Sequence, residues 1–465
     1  MSFQFMFDRM LQSDSAFDGR FITGVLTTGI YCLPSCRARK PRAENVRFFD
    51  SEEDARSAGL RPCKKCRPDA WYAGHDPQWG RLREAWRMVQ DRPGDFAGID
   101  ALAEVVGVGL SRLHGLTWQA WQQTPAEVLL QARLRWAARL LADRLPMIDV
   151  AFQCGFGSLS AFNSRFRQGF GMTPTEYRKL DAVATFTMGL PPRYDRSAVL
   201  RYLGRDADSL TERVIDGTYR MGLWIGDRPV EVVATLGAAA MEVTSAAPEL
   251  HREVLGHVRR RLGLGVDPSR FEKAAAPLAA THPGLRVPLM SNAFETMVWI
   301  VLGQQVNVRY ASTVRRRWVE AYGEPCGDGL FAPPRAERMA GLTVDDVARL
   351  GTTGRKAEVI LGIARGFVEG QLPGEEGEPI PLLERRLLAW PGLGPWSVQY
   401  YLMRGLGVPD ACPVGDAALH AAVQAWFGLE ARPGAAEVTS CMARFAPWRS
   451  LATFHLWRWH EENKR

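Results

Sequence analysis

Long apolar runs are missing from this 465-residue sequence: no stretch of about 18 apolar residues exists, so no transmembrane helix is expected. The opening stretch, Met1 to Arg20, carries several acids and no continuous apolar core, so no signal peptide is read there. Cysteine is scarce. Eight in the whole chain cannot build a disulfide framework, and in a reducing cytoplasm a tight cluster of them points to a metal or a reactive thiol. No internal repeat of solenoid period is present. The composition of a disordered chain is lacking too, since 46% of residues are hydrophobic, an ordinary globular fraction.

What is present is enough chain for about three to four domains. The formal net charge is +7, and it is uneven. Residues 1–180 hold 25 Lys and Arg against 19 Asp and Glu, while the remainder holds 33 against 32. A basic first half suits an anionic partner, with nucleic acid the first candidate, or serves only solubility.

The texture changes along the chain. The first 75 residues are loop-rich, and a polar stretch follows from Tyr72 to Gly80 (YAGHDPQWG). From Arg81 to about Lys179 apolar residues recur at three- and four-residue spacing, a helical pattern. Thr185–Met188, Tyr219–Ile225 and Pro229–Ala234 read as strands. Helical patterns return from about Pro288. Gly370–Pro379 (GQLPGEEGEP) reads as a surface connection.

Cys32 and Cys36 form a C-x3-C pair, and Cys63 and Cys66 a C-x2-C pair, with 26 residues between the pairs. Two such hairpins can turn four sulfurs onto one zinc ion. On spacing alone this is a structural zinc knuckle. The flanks add Arg37, Arg39, Lys40, Arg42, Arg61, Lys64, Lys65 and Arg67. Four thiolates on Zn²⁺ carry a net −2 charge and stay deprotonated and electron-rich. Facing a phosphate, such a thiolate can accept a methyl group. The stretches TTGIYC, PSCRAR, ENV and RPCKKCRPD, between Phe17 and about Asp69, closely resemble the N-terminal domain of the Ada DNA-repair methyltransferase family. The resemblance implies Zn²⁺ on Cys32, Cys36, Cys63 and Cys66. It implies Cys32 as the irreversible acceptor of a methyl group from a methylphosphotriester, and Thr28, Arg37, Arg39 and Arg61 as DNA contacts.

Residues 99–125 and 147–177 each read as an apolar helix, a Gly-containing turn, a second helix and a Thr-Pro stop. That is helix-turn-helix logic, and a helical packing domain would share it. GFGSLSAFNSRFRQGFGMTPTEYRK closely resembles the AraC-type regulator signature. Its recognition helix is expected from about Ser158 to Gln168, with Asn163, Ser164, Arg165 and Arg167 toward DNA. The first unit departs from that family at Gly115, where a basic residue is usual.

Leu387 to Val423 contains Pro391-Gly392-Leu393-Gly394, a tight turn entering a helix at Pro395. Backbone N–H groups at such a start can hold a DNA phosphate. Pro413-Val414-Gly415-Asp416 follows. By itself an Asp before an apolar helix reads as an N-cap. Hairpin and Asp together, with SNAFETMVWIVLGQQV and PWRSLATFHLWRW, are similar to the AlkA 3-methyladenine branch of the helix-hairpin-helix glycosylase superfamily, from about Thr185 onward. The resemblance implies Asp416 as the catalytic carboxylate, Gly392 and Gly394 at the DNA backbone, and Trp396, Tyr400 and Trp457 as the base pocket. Any one of those aromatics read singly is core packing. Asp410, six residues upstream, is the competing acid. The family's DNA wedge is apolar, and Gln305 stands at that position. Trp396 occupies the place of the lyase lysine, so no Schiff base is implied, and no terminal four-cysteine iron–sulfur cluster follows. A second methyl-acceptor domain with a PCHR motif is missing, since Cys326 sits in EPCGDG.

The expected fold class is multidomain. It comprises a small four-cysteine zinc domain (1–75), an all-α double helix-turn-helix domain (81–181), a small α+β domain (184–288) and an all-α helix-hairpin-helix glycosylase domain (289–465). The expected function is monofunctional excision of alkylated bases, joined to a methylphosphotriester acceptor and a transcriptional regulator. The expected partners are alkylated and promoter double-stranded DNA, with RNA polymerase if the chain is an activator, in a bacterial cytoplasm at the nucleoid. Two rivals remain at this stage. One is a transcription factor whose glycosylase half only binds DNA, and the other is a repair enzyme whose front half only targets DNA.

Overall fold

The computed structural model describes residues 1–14, 17–72, 77–143, 145–373 and 377–463. They fall into two units, Met1–Arg133 with Glu376–Arg385, and Leu134–Glu375 with Arg386–Arg465. Among the described residues no helix is long and apolar enough to cross a membrane.

The first unit begins with a four-stranded sheet in the order Val46–Phe49, Ile22–Val25, Ile30–Cys32, Arg61–Pro62. Its last pair is parallel and the others are antiparallel. Ile22, Tyr31, Phe49, Ala55 and Leu60 form its core. The helices Ile99–Val106 and Leu110–Trp121 follow, joined through Gly107 in the left-handed conformation (φ 72°) that glycine tolerates best. Gly115 does not interrupt the second of them. Leu82, Leu102, Val106, Leu113 and Leu116 pack beneath the pair.

In the second unit the helices Met147–Gln153 and Leu159–Phe170 form the other helix-turn-helix. Ser158 caps the second helix by accepting the Ala161 amide. Phe162 and Phe166 are fully buried, while Asn163, Ser164, Arg165, Arg167 and Gln168 face solvent. This is an amphipathic helix with a polar face free for recognition. Truncating either Phe would cost about 3–5 kcal/mol.

A five-stranded antiparallel sheet follows, in the order Thr185–Gly189, Ala240–Ser245, Arg228–Leu236, Thr218–Ile225, Glu212–Ile215. Helices Arg196–Leu203 and His251–Arg261 belong to the same part of the chain. The remainder is helical apart from a hairpin, Glu324–Gly327 with Leu330–Ala332, which holds Cys326. A terminal core is formed by Phe271, Leu419, Val423, Val438 and Leu456. The expected surface connection Gly370–Pro379 includes residues 374–376, which lie outside the described residues, as do 73–76 of the polar stretch. Gly377, however, is packed: its carbonyl accepts the Trp121 indole N–H at 3.0 Å.

Candidate functional sites

The cysteine cluster lies in the first unit. Strand Ile30–Cys32 delivers Cys32, and the Cys36 amide donates to the Leu33 carbonyl at 3.0 Å, bending Cys36 back. The Cys63 amide donates to the Tyr31 carbonyl at 3.0 Å, which sets the second pair beside the first. All four sulfurs come within 4.8 Å of one another. With Zn–S bonds of about 2.3 Å, tetrahedral coordination needs sulfurs about 3.8 Å apart, so the donor set and spacing fit zinc. As bare thiols the group is frustrated: bonding to Cys36 and Cys66, burial and repulsion push the Cys32 thiol far up. A divalent cation relieves that repulsion.

The four sulfurs are not equivalent. The Lys65 amide donates to Cys63 Sγ at 3.4 Å. The Ala38 and Leu33 amides favour the thiolates of Cys36 and Cys66. The influences on Cys32 are led by its neighbouring thiols. Residue exposure singles out a different cysteine, because Cys66 is half-buried and the other three are buried. Thr28, Arg37, Arg39 and Arg61 are all solvent-exposed. The Lys40 ammonium instead turns inward, donating to the carbonyls of Met10 and of Cys36 (2.8 Å).

The second site is built on the hairpin 391–394. Gly392 has φ 85°, and a Cβ there would fall 2.5 Å from Val359 Cγ2, so this turn requires glycine. Gly394 is exposed, with nothing within 4 Å of where a Cβ would stand, which leaves its backbone open to a phosphate. Helix Pro395–Tyr400 starts there and runs into a widened turn, Tyr401–Leu406. Wide turns of this kind often accompany functional sites.

Asp416 is the N-cap of helix Ala417–Phe427, and its Oδ1 accepts the Leu419 amide at 2.8 Å and the Trp457 indole N–H at 3.2 Å. It is thus a cap and at the same time a carboxylate in an aromatic wall. Trp396 and Tyr400 have ring centroids 5.5 Å apart, and Tyr400 and Trp457 6.2 Å. Burial raises the Asp416 pKa above its ordinary 3.8, against the opposing pull of the Leu419 amide and the indoles. Asp410 has another job. Arg449 grips it with Nε and Nη2, both at 2.7 Å, in a bidentate pair whose carboxylate is buried.

Gln305 is exposed and holds φ 56°, an uncommon left-handed conformation for a side-chain-bearing residue. Its loop is braced. Gln304 Nε2 donates to the Gly392 carbonyl at 2.9 Å and to Ser397 Oγ at 3.1 Å, and Lys356 Nζ donates to the Leu302 and Gln304 carbonyls. Asn163, Arg167 and Gln168 line an open groove with Thr173 and Thr175, and Arg165 Nη1 donates to Gln168 Oε1 at 3.2 Å. Sequence reasoning missed Trp299, whose indole N–H donates to the Tyr400 hydroxyl at 3.2 Å, and Tyr202, Arg205 and Arg404 behind it. Trp299 lies inside the SNAFETMVWIVLGQQV stretch and Arg404 inside Leu387–Val423 without being singled out there, and no local motif marks Tyr202 or Arg205.

Comparison with known proteins follows the same division. Residues 6–69 match the metal binding domain of Ada, residues 102–180 a helix-turn-helix domain, and residues 298–447 the HhH-GPD superfamily of base excision DNA repair proteins. A probable bifunctional transcriptional activator/DNA repair enzyme AlkA of Mycobacterium tuberculosis is 34% identical, covering 97% of this chain and 95% of that protein. The DNA-3-methyladenine glycosylase of Bacillus subtilis is 30% identical over 58% of this chain and 95% of its own length. The bifunctional transcriptional activator/DNA repair enzyme Ada of Escherichia coli is 33% identical over 36% of this chain, which spans 47% of that protein. Among solved structures, a 3-methyladenine DNA-glycosylase from Archaeoglobus fulgidus shares the fold with a TM-score of 0.53 at 20% identity, covering 60% of this chain and 99% of that one. A zinc-binding cysteine cluster, a helix-turn-helix and a helix-hairpin-helix glycosylase fold therefore stand in one chain, and the chain belongs to the family of bifunctional AlkA-type transcriptional activator/DNA repair enzymes.

Proposed function

We propose that this chain excises alkylated bases from DNA, accepts methyl groups from DNA phosphotriesters on Cys32, and activates transcription of its own repair response. The observation that carries the excision reading is Asp416, a half-buried carboxylate fixed within an aromatic wall beside an open glycine hairpin. A base alkylated at N3 or N7 is cationic, and aromatic faces attract it by about 0.5–2 kcal/mol each. When the C1′–N bond breaks, its electron pair leaves with the base, which departs neutral. Positive charge then develops on the sugar, where a single carboxylate stabilises it. Water adds to C1′ and gives up its proton. No general acid is needed, and Trp396 in place of a lysine supports hydrolysis without strand cleavage.

The methyl-acceptor reading rests on the sulfur environment. N–H groups withdraw electron density from Cys36, Cys63 and Cys66, whereas the influences on Cys32 are led by its neighbouring thiols. Bound zinc keeps the sulfurs ionised at neutral pH. Cys32 Sγ attacks the methyl carbon, the C–O bond breaks, and its electron pair stays on the phosphate oxygen. The cluster loses one negative charge, which weakens its repulsion from DNA. Exposed Arg37, Arg39, Arg61 and Thr28 then grip the backbone, and the polar face of helix Leu159–Phe170 reads the major groove. RNA polymerase at the nucleoid is the partner such an activator requires.

The decisive experiment is base release from alkylated duplex DNA by wild type and Asp416→Asn. Loss of release of roughly 10²–10³-fold with DNA binding retained is expected. Undiminished release by the variant would sink the excision reading. No release by wild type would leave a regulator that only binds DNA.

A further inference from the structure

The turn that carries Asp416 is held by a side chain that the reaction above does not use. The Val414 amide donates to the Cys412 carbonyl at 2.9 Å and the Asp416 amide to the Pro413 carbonyl at 2.8 Å, folding Pro413–Asp416 tightly. Gly415 lies against the aromatic wall, since a Cβ there would fall 3.1 Å from Trp396 Cβ. His420 reaches the same turn from helix Ala417–Phe427. Its amide donates to the Asp416 carbonyl at 3.0 Å, which sets the half-buried ring one helical turn past the carboxylate. Ring Nε2 meets the Val414 carbonyl, and Nδ1 meets the Pro433 carbonyl at 2.9 Å, in the segment after the helix. Carbonyl oxygens only accept hydrogen bonds, and a neutral imidazole has a single N–H. The neutral ring would therefore turn a lone pair toward one of the two oxygens. Only the protonated ring donates to both.

The charged groups around this turn have other tasks. Arg432, beside Pro433, donates to the Ala417 carbonyl at 3.0 Å, and Arg444 lies over the Phe427 ring at 4.5 Å. Glu437 on helix Ala435–Ala443 is exposed to solvent. On helix Arg449–Asn463, Arg449 pairs with Asp410, and Arg458 with Glu461 and Glu462. His455 on that helix is buried, and burial lowers its pKa to about 3, so it stays neutral wherever ordinary imidazoles titrate. Helix Pro395–Tyr400 carries no charged residue. Asp416 is the acid on the ring's own helix.

We propose that His420 is a positioning residue for Asp416: its imidazolium, bridging the Val414 and Pro433 carbonyls, holds the Pro413–Asp416 turn in the excising geometry and releases it on losing a proton. This rests on the excision reading. A carboxylate stabilises the charge developing at C1′ only if it is already in place when the bond breaks. The Val414 carbonyl is two residues from that carboxylate, so a shift there moves the charge away from the sugar, and small misplacements cost rate. When the ring gives its proton to solvent, a nitrogen lone pair opposes a carbonyl oxygen and the ring swings off. DNA affinity, made elsewhere, is unaffected. Excision therefore has an alkaline limb from His420, opposite in sign to the acid limb from Asp416.

The test follows release of 3-methyladenine from freshly methylated duplex DNA under single-turnover conditions, with the full chain in excess and spontaneous loss subtracted. The profile spans the range in which imidazoles titrate, about pH 5–8. The wild-type rate should fall about two- to tenfold toward the alkaline end, the effect of one lost hydrogen bond. His420→Gln puts an amide N–H donor near the Nε2 position and has no proton to lose in this range, so its rate should stay level there. His420→Leu should be slow throughout, with the wild-type Kd for methylated DNA. Should His420→Leu fail to fold by thermal melting, the wild-type and His420→Gln profiles decide alone. A level wild-type profile, an equal alkaline fall in His420→Gln, or a His420→Leu that weakens DNA binding at an unchanged rate overturns the proposal. Those outcomes leave the excision reading standing. Wild type that releases no base at any pH overturns both.

Discussion

The Trp457 indole donates to the same Asp416 oxygen that accepts the Leu419 amide, at 3.2 and 2.8 Å. One carboxylate oxygen thus joins a helix start to an aromatic wall. The helix end supplies partial positive charge and the indole supplies orientation. Burial works against both and keeps the pKa above 3.8.

The sign of the pH dependence follows. If excision runs through the ionised Asp416 as proposed, activity should be lost as pH falls through the raised pKa. Folding runs the other way: a buried acid with a raised pKa favours the folded state when protonated, so its stabilising contribution is lost as pH rises from 3.8 through that pKa. Trp457→Phe keeps a ring and removes a hydrogen bond to the charged form. The acid limb of its single-turnover pH–rate profile should lie at higher pH than wild type. A limb at the same pH would mean that the indole does not act on the carboxylate.

Asp410→Asn should behave unlike Asp416→Asn. Asp410 holds Arg449 from both oxygens, and breaking a buried pair costs roughly 3–5 kcal/mol. Chemical denaturation should show a large loss of stability, while the folded fraction excises bases at the wild-type rate. A stable but inactive Asp410→Asn would move the catalytic assignment six residues upstream.

Each purified chain should carry one zinc by metal analysis, and Cys36→Ser should lose it. DNA rich in methylphosphotriesters should then methylate wild type on Cys32 alone, read by peptide mass spectrometry. Cys66 is the one residue of the four that is only half-buried. A methyl group on Cys66 would show that access, rather than electron density, selects the sulfur.

Borohydride should trap no covalent adduct between the chain and damaged DNA. A trapped adduct would point to Lys356, whose ammonium is lowered in pKa by burial and sits against the Leu302 and Gln304 carbonyls.

Much of both sites was legible because short-range spacing carries them. Two cysteine hairpins, a Gly-x-Gly turn and the recognition helix from about Ser158 to Gln168 each encode their geometry within about ten residues. What was missed depends on distant partners. Glu212–Ile215 and Ala240–Ser245 are strands because their neighbours pair with them; the first is four residues long, and the second opens from an alanine run and alternates apolar and polar only from Met241 to Thr244. Tyr202, Arg205, Trp299 and Arg404 meet across as many as 202 residues of sequence. Asp410 and Asp416 look alike in the sequence, and only Arg449 on a later helix tells them apart. The stretch around Gly377 reads as a solvated loop because its glutamates, glycines and prolines hide an anchor.

That anchor bears on how the chain could be divided. Gly377 sits at φ 74°, where a Cβ would fall 2.4 Å from Trp86 Cε3. Leu382 joins the core formed by Leu82, Leu102 and Leu113, and Glu384 pairs with Arg20 at 2.9 Å. A segment encoded far downstream, among the helices of the glycosylase half, therefore finishes the hydrophobic interior of the front unit. Cutting the gene between residues 183 and 184 would not yield two self-sufficient products. The front fragment would lack a piece of its own interior, and fission of this fusion back into separate regulator and repair enzyme would first require a substitute for residues 377–385.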